Sequence, residues 1–157
     1  MTALNNKVYF ILRDTSTPSQ QLNIQQSAWS EVPAIPVLFD EFGLCLVEFT
    51  EKLYVYQLID DTDALLELDL KTLTWRNINL PTAFTFSELI QLPGTRSMIF
   101  IDSFTIWKID PEALTVCEVG EMNESKIVSC SVHEGSLIYH SHSMTGTQAF
   151  VQQLALA

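Results

Sequence analysis

Four times along its 157 residues the chain opens a turn into a β-rich apolar run. The runs are Asn6-Lys7-Val8-Tyr9-Phe10-Ile11-Leu12, Glu51-Lys52-Leu53-Tyr54-Val55-Tyr56, Arg96-Ser97-Met98-Ile99-Phe100-Ile101 and Gly135-Ser136-Leu137-Ile138-Tyr139-His140. They begin at residues 6, 51, 96 and 135, at spacings of 45, 45 and 39. A fixed period of this size means one supersecondary unit used repeatedly. Each copy has too little apolar surface to fold alone and must stack on its neighbours.

A second strand is expected after each run, most clearly at Ala64–Asp69 and Thr105–Asp110, and both of these end in aspartate. Leu68-Asp69-Leu70-Lys71-Thr72-Leu73-Thr74-Trp75 and Ile109-Asp110-Pro111-Glu112-Ala113-Leu114-Thr115-Val116 share one pattern: apolar-Asp, three turn residues, Leu-Thr, then a large apolar residue. The aspartate accepts backbone N–H groups of the turn, and Pro111 presets φ after it. Leu-Thr then starts a returning strand whose Trp or Val packs inward. Trp29-Ser30-Glu31-Val32, Trp75-Arg76-Asn77-Ile78 and Val116-Cys117-Glu118-Val119 are three versions of that strand. Its first and fourth residues fall on opposite faces of a regular strand. Either a bulge or burial of both faces between stacked sheets must reconcile this.

A further apolar segment precedes each unit's first run, as in Phe42–Phe49, Phe86–Leu92 and Lys126–Val132, while Pro33, Pro36 and Pro81 stand between units, where a strand must end. A helix over Asp61–Leu73 is the rival reading, with Thr62-Asp63 as cap and Leu65, Leu66, Leu70 and Leu73 at partial helical spacing. The alignment with Thr105–Val116, which carries Pro111 and several β-branched residues, favours strands.

The period is that of a four-stranded propeller blade, about 40 to 50 residues. The unit resembles a degenerate kelch repeat. Lys52–Tyr56 resembles the first kelch strand, and Leu66–Trp75 resembles the second half, with Trp29 and Trp75 at the tryptophan place and Val116 replacing it in the third unit. The kelch diglycine is replaced by Gln57-Leu58, Asp102-Ser103 and Ser141-His142. The expected fold is all-β and propeller-type, in approximate units 1–36, 37–81, 82–122 and 123–157. Only six residues precede Lys7, so the first unit is expected to lack its leading strand, and the last to lack a fourth strand. The result is about three and a half antiparallel blades, which leaves four outcomes open: two copies joined, a ring completed by another chain, one piece of a longer gene product, or a small closed or distorted propeller.

The net charge of −11, from 19 acids against 8 bases, repels phosphate backbones and anionic lipids. Nucleic acid and membrane are therefore not expected partners. No apolar run approaches the ~20 residues that span a bilayer, and Met1–Lys7 does not read as a signal peptide. The expectation is an intracellular protein, cytoplasmic or nuclear. Three cysteines without a C-x-x-C pair signal neither a disulfide framework nor a zinc knuckle, and Cys45 and Cys130 read as buried small hydrophobes.

Few residues suggest chemistry. His140 and His142 share a strand face at i and i+2 and, with His133, form a candidate divalent-metal set. This supports an alternative reading as a metal-binding domain or metal-dependent enzyme. Asp60-Asp61-x-Asp63 lacks the glycine and downstream glutamate of a calcium loop. With five glycines in all, neither a phosphate-cradling loop nor a nucleophile elbow is present, and no cofactor is expected. The kelch resemblance implies a non-catalytic protein-interaction module or assembly subunit, binding through loops on the propeller faces. Its expected partner is another protein or a second copy of the chain. The acidic loop Asp60, Asp61 and Asp63 and the inter-unit aromatics Phe84 and Phe86 are the expected contact residues.

Overall fold

The computed structural model describes residues 1–38, 42–48, 50–57, 65–80, 88–102, 104–122, 127–133, 136–143 and 146–153. These form fifteen strands in four antiparallel sheets, each an up-and-down meander in chain order, and no helix occurs among the described residues. The first sheet holds β1 (Thr2–Leu4), β2 (Lys7–Phe10), β3 (Ser19–Asn23) and β4 (Ala28–Val32). The second holds β5 (Phe42–Val47), β6 (Lys52–Gln57), β7 (Leu65–Asp69) and β8 (Thr74–Ile78). The third holds β9 (Glu88–Gln91), β10 (Met98–Asp102), β11 (Thr105–Asp110) and β12 (Thr115–Glu121). The fourth holds β13 (Ile127–His133), β14 (Ser136–Ser143) and β15 (Gly146–Gln153).

The four apolar runs that set the period are the second strands, β2, β6, β10 and β14. The strand reading of Leu65–Asp69 holds against the helix. The first unit does possess its leading strand. Three residues suffice, because Asn5 and Asn6 both take positive φ (50° and 61°) and turn the chain in two residues, so that Leu4 pairs with Lys7 and Thr2 with Tyr9.

The sheets stack face to face with β1, β5, β9 and β13 side by side. Sheet stacking, rather than a bulge, explains the Trp-x-x-apolar strand β8. Ile78 packs with Met98, Phe100 and Ile109 of the third sheet, while Trp75 packs with Tyr9 and Val32 of the first. In β12 a register shift opposite Ile106 and Trp107 accompanies the same arrangement, with Val116 toward the second sheet and Val119 toward Leu137 of the fourth. Both faces of the second and third sheets are therefore buried. Trp29 departs from the expectation of inward packing: it is 57% exposed and touches Phe10 at a ring separation of 5.4 Å. Cys45 is buried, Cys117 is exposed, and the side chain of Cys130 lies outside the described residues.

Gly43 lies opposite Tyr56, whose ring covers the glycine Cα so closely that a Cβ has no room. The Asp turn forms as its chemistry requires. Asp69 Oδ1 accepts the N–H groups of Lys71 (2.9 Å) and Thr72 (3.0 Å), and Asp110 Oδ1 those of Glu112 (3.0 Å) and Ala113 (3.1 Å). In the first sheet Asn23 does the same work for Gln26 (3.1 Å). Four residues after each acceptor, Ser27, Leu73 and Leu114 adopt left-handed backbone (φ 50°, 54° and 53°), which reverses the chain into the last strand.

Candidate functional site

Antiparallel meanders send the turns after the first and third strands of every sheet to one end of the stack. At that end the β1–β2, β5–β6 and β9–β10 turns converge around a depression of about 670 Å³ lined by Leu4, Asn5, Glu48, Glu51, Pro93 and Gly94, with Gln91 at its wall. Positive φ at Asn5, Glu51 and Gly94 shapes all three turns. Gln91, with its amide nitrogen toward the Leu46 carbonyl (3.1 Å), ties the third sheet to the second. A hollow of about 360 Å³ beside it runs past Lys7 and Tyr9 to Leu70 and Lys71.

Glu48 and Glu51 border this mouth. Glu51 accepts a hydrogen bond from Asn5 Nδ2 (3.2 Å) and pairs with Lys71 (3.2 Å), linking the first two sheets. Deeper in, Glu67 is almost wholly buried. It accepts from Lys52 Nζ (2.9 Å), from Arg76 Nε and Nη2 (both 2.8 Å) and from the Tyr54 hydroxyl (2.8 Å). Lys52 also reaches Glu112 of the third sheet at 3.6 Å, and Arg96 pairs with Asp110 (2.7 Å) and Glu112 (3.1 Å).

The electrostatics follow from this wiring. Burial alone would raise the Glu67 carboxyl, but hydrogen bonds from Arg76, Lys52 and Tyr54 outweigh it and hold it below the usual value. The turn N–H of Thr72 foremost lowers Asp69. Asp110 is lowered too, its desolvation overcome by Ala113, Arg96 and Glu112. Burial and the Glu67 bond raise the Tyr54 phenol, and the Glu67 carboxylate raises Arg76. At neutral pH these acids are carboxylates that accept hydrogen bonds.

The expected contact residues Asp60, Asp61, Asp63, Phe84 and Phe86 lie outside the described residues. His133 is exposed and stands opposite Ser136, while His140 stands opposite Ser129, four residues further along the ladder. The structure describes His140 and His142 by backbone only. Among the described residues no three His, Cys, Asp or Glu gather to hold a metal. The mouth and the Glu67 cluster were not singled out from the sequence. The Asn5-Asn6 pair before a strand was the one available signal for the turn that starts the mouth.

No family model and no curated protein matches the sequence. Among solved structures, TolB from Acinetobacter baumannii superimposes with a TM-score of 0.63 at 17% identity, covering 94% of this chain and 41% of that one. A chain of a nidogen–laminin complex matches with a TM-score of 0.65 at 8% identity, over 92% of this chain and 55% of that one. The extracellular domain assigned to a one-component system of B. thetaiotaomicron matches with a TM-score of 0.58 at 10% identity, over 95% and 21%. The chain thus spans well under two thirds of each of these neighbours. With meandering antiparallel sheets stacked about their first strands, these likenesses identify its fold: an array of β-propeller blades.

Proposed function

We propose that the chain is a non-catalytic protein-interaction module, a subunit of a larger assembly that binds partner proteins through the loops at the ends of its blades. The observation that carries this reading is the turn-built mouth, where three blades contribute one turn each to a single depression at which Glu51 is held by Asn5 and Lys71. Rigid elements presenting loop residues are how such folds bind. Exposed Glu48 beside Glu51, on a chain of net charge −11, favours a partner segment rich in Lys and Arg. One structural neighbour was solved in a nidogen–laminin complex, so the architecture is compatible with protein recognition. Asp60, Asp61 and Asp63 with Phe84 and Phe86 are further contact residues of this reading, on the strength of their acidic and aromatic character in the sequence. The Leu66–Trp75 hairpin supports kelch-like descent of the units.

Quantitative crosslinking in cells tests the reading. A partner recovered with the native chain is expected to be lost with Glu48→Lys or with Asp60, Asp61 and Asp63 all changed to Asn. Unchanged recovery with both variants refutes it.

A further inference from the structure

The first and second blades carry the same polar quartet with its charges changed. In the second, Lys52 and Tyr54 share a face of β6, Tyr54 stands opposite Glu67, and Glu67 opposite Arg76. Lys52, Tyr54 and Arg76 all donate to the Glu67 carboxylate. In the first, Lys7 and Tyr9 hold the matching places on β2, Tyr9 stands opposite Gln21, and Gln21 opposite Ser30. An amide takes the place of the carboxylate, and a hydroxyl that of the guanidinium. The change extends across the junction with the next blade. Lys52 also reaches Glu112, two residues beyond the turn acceptor Asp110. Two residues beyond Asp69 the second blade has Lys71. Lys7 thus lacks both anions that its counterpart holds.

The donors left over border open space. Lys7, Tyr9 and Lys71 line the hollow of about 360 Å³ between the first two blades. Lys7 is half-buried and Tyr9 is 3% exposed. Among the described residues the Tyr9 hydroxyl has no hydrogen-bond partner and Lys7 no ion pair. Burial raises the Tyr9 phenol, and the Glu51 carboxylate on the wall of the hollow raises it further, so the hydroxyl lies at the hollow. Gln21 Nε2 donates to Ser30 Oγ (2.8 Å), while Gln21 Oε1 is buried with no partner among the described residues. The Ser30 hydroxyl can instead donate to the amide oxygen, and a half-turn of the amide then offers its NH₂ as a further donor. Buried polar groups are ordinarily paired. Glu51, the acid on this wall, is already held by Asn5 and Lys71.

We propose that the hollow takes a carboxylate from a partner protein, the side chain of an Asp or Glu, which does from outside what Glu67 does within the second blade. Lys7 supplies the charge, Tyr9 a hydrogen bond and Lys71 a second cation, and such charge-assisted bonds are the strong ones. The hollow shares Leu4, Asn5 and Glu51 with the mouth. One partner segment therefore spans both, with a basic residue at Glu48 and an acidic one at Lys7. That continuity favours a segment over a free small carboxylate. The inference deepens the interaction-module reading and rests on it.

Two measurements on the full chain test this. In the first, N-acetylglutamate methylamide is titrated into the ¹⁵N-labelled protein. Saturable shifts are expected at the amides of Lys7, Tyr9 and Lys71, with a dissociation constant on the order of 1 mM. The glutamine analogue should give none. Lys7→Gln and Tyr9→Phe should each weaken binding by at least about tenfold. Gln21→Glu should abolish it, because it supplies the carboxylate from within the blade. No saturable shift, equal binding of the glutamine analogue, or native affinity in Lys7→Gln or Gln21→Glu would overturn the proposal. In the second, the partner crosslinked in cells should be lost with Lys7→Gln as it is with Glu48→Lys. Probe binding together with a partner lost only with Glu48→Lys would assign the hollow to a free small carboxylate, and would overturn this inference while leaving the interaction-module reading standing. Probe binding with recovery unchanged by Lys7→Gln, by Glu48→Lys and by the Asp60, Asp61 and Asp63 variant would overturn that reading and the partner assignment with it.

Discussion

Glu67 is the most consequential single side chain to perturb. It is 2% exposed and accepts four hydrogen bonds, three of them from cationic donors. Breaking a buried ion pair by removing one partner costs about 3–5 kcal/mol, because the other charge is left buried. Two features reduce that figure here. Arg76 is half-exposed and recovers water, and Lys52 keeps Glu112 at 3.6 Å. Glu67→Gln retains the shape and one acceptor but turns an NH₂ group toward donors, so a loss of about 2–3 kcal/mol is expected at pH 7. With a urea m-value of about 1–3 kcal/mol/M, the midpoint should fall by roughly 0.7–3 M, readable by tryptophan fluorescence. The pH dependence gives an internal control. The folded carboxyl titrates below its ordinary 4.5, so its stabilisation is fully present above that value and is lost as pH falls through the lower folded one. The gap between native and Glu67→Gln should therefore narrow below pH 4.5 and stay constant above it. A gap under about 0.5 kcal/mol at pH 7, or one that widens in acid, would refute the assignment of Glu67 as the ion-paired centre of the second blade.

Other substitutions probe the local rules. Leu114 sits at φ 53° and is 47% exposed, so Leu114→Gly should stabilise by about 0.5–1 kcal/mol and raise the melting temperature by a few degrees in calorimetry. Gly43→Ala forces a methyl into the Tyr56 ring and should cost about 1–3 kcal/mol in urea titration. Asp110→Ala frees two turn N–H groups and should cost about 0.5–2 kcal/mol at pH 7. The cost should shrink in acid as the lowered Asp110 carboxyl of the native protein protonates.

The fold was legible because its signals are local and repeated. The second strands, the Asp turns and the Trp-x-x-apolar strands each recur at one period, and the turn chemistry of Asp69 and Asp110 needs nothing beyond its own hairpin. The leading strand β1 was missed because three residues carry no periodicity. Only the Asn5-Asn6 turn and the pairing with β2 give it away. Trp29 was expected to pack inward because Trp75 does, yet a residue's burial in a stacked array depends on whether another sheet covers it. The mouth was not legible. Asn5, Glu48 and Gly94 are ordinary turn residues until stacking brings three separate turns around one depression. Glu67 and Arg76 lie nine residues apart, and their pairing follows from strand register that no local pattern specifies.

The meander has a consequence for how the molecule opens. Every strand pair joins neighbours in sequence, so each sheet closes over short loops and needs little long-range order to form. A single sheet still leaves its faces wet, and cooperativity must come from the contacts between sheets. The second and third sheets are covered on both faces, whereas the first leaves Trp29 57% exposed and the fourth leaves Val151 73% exposed. Amide exchange should follow that geometry. β6, β7, β10 and β11 should exchange only with global unfolding, and β2, β3 and β14, on the sheets with an uncovered face, should exchange earlier.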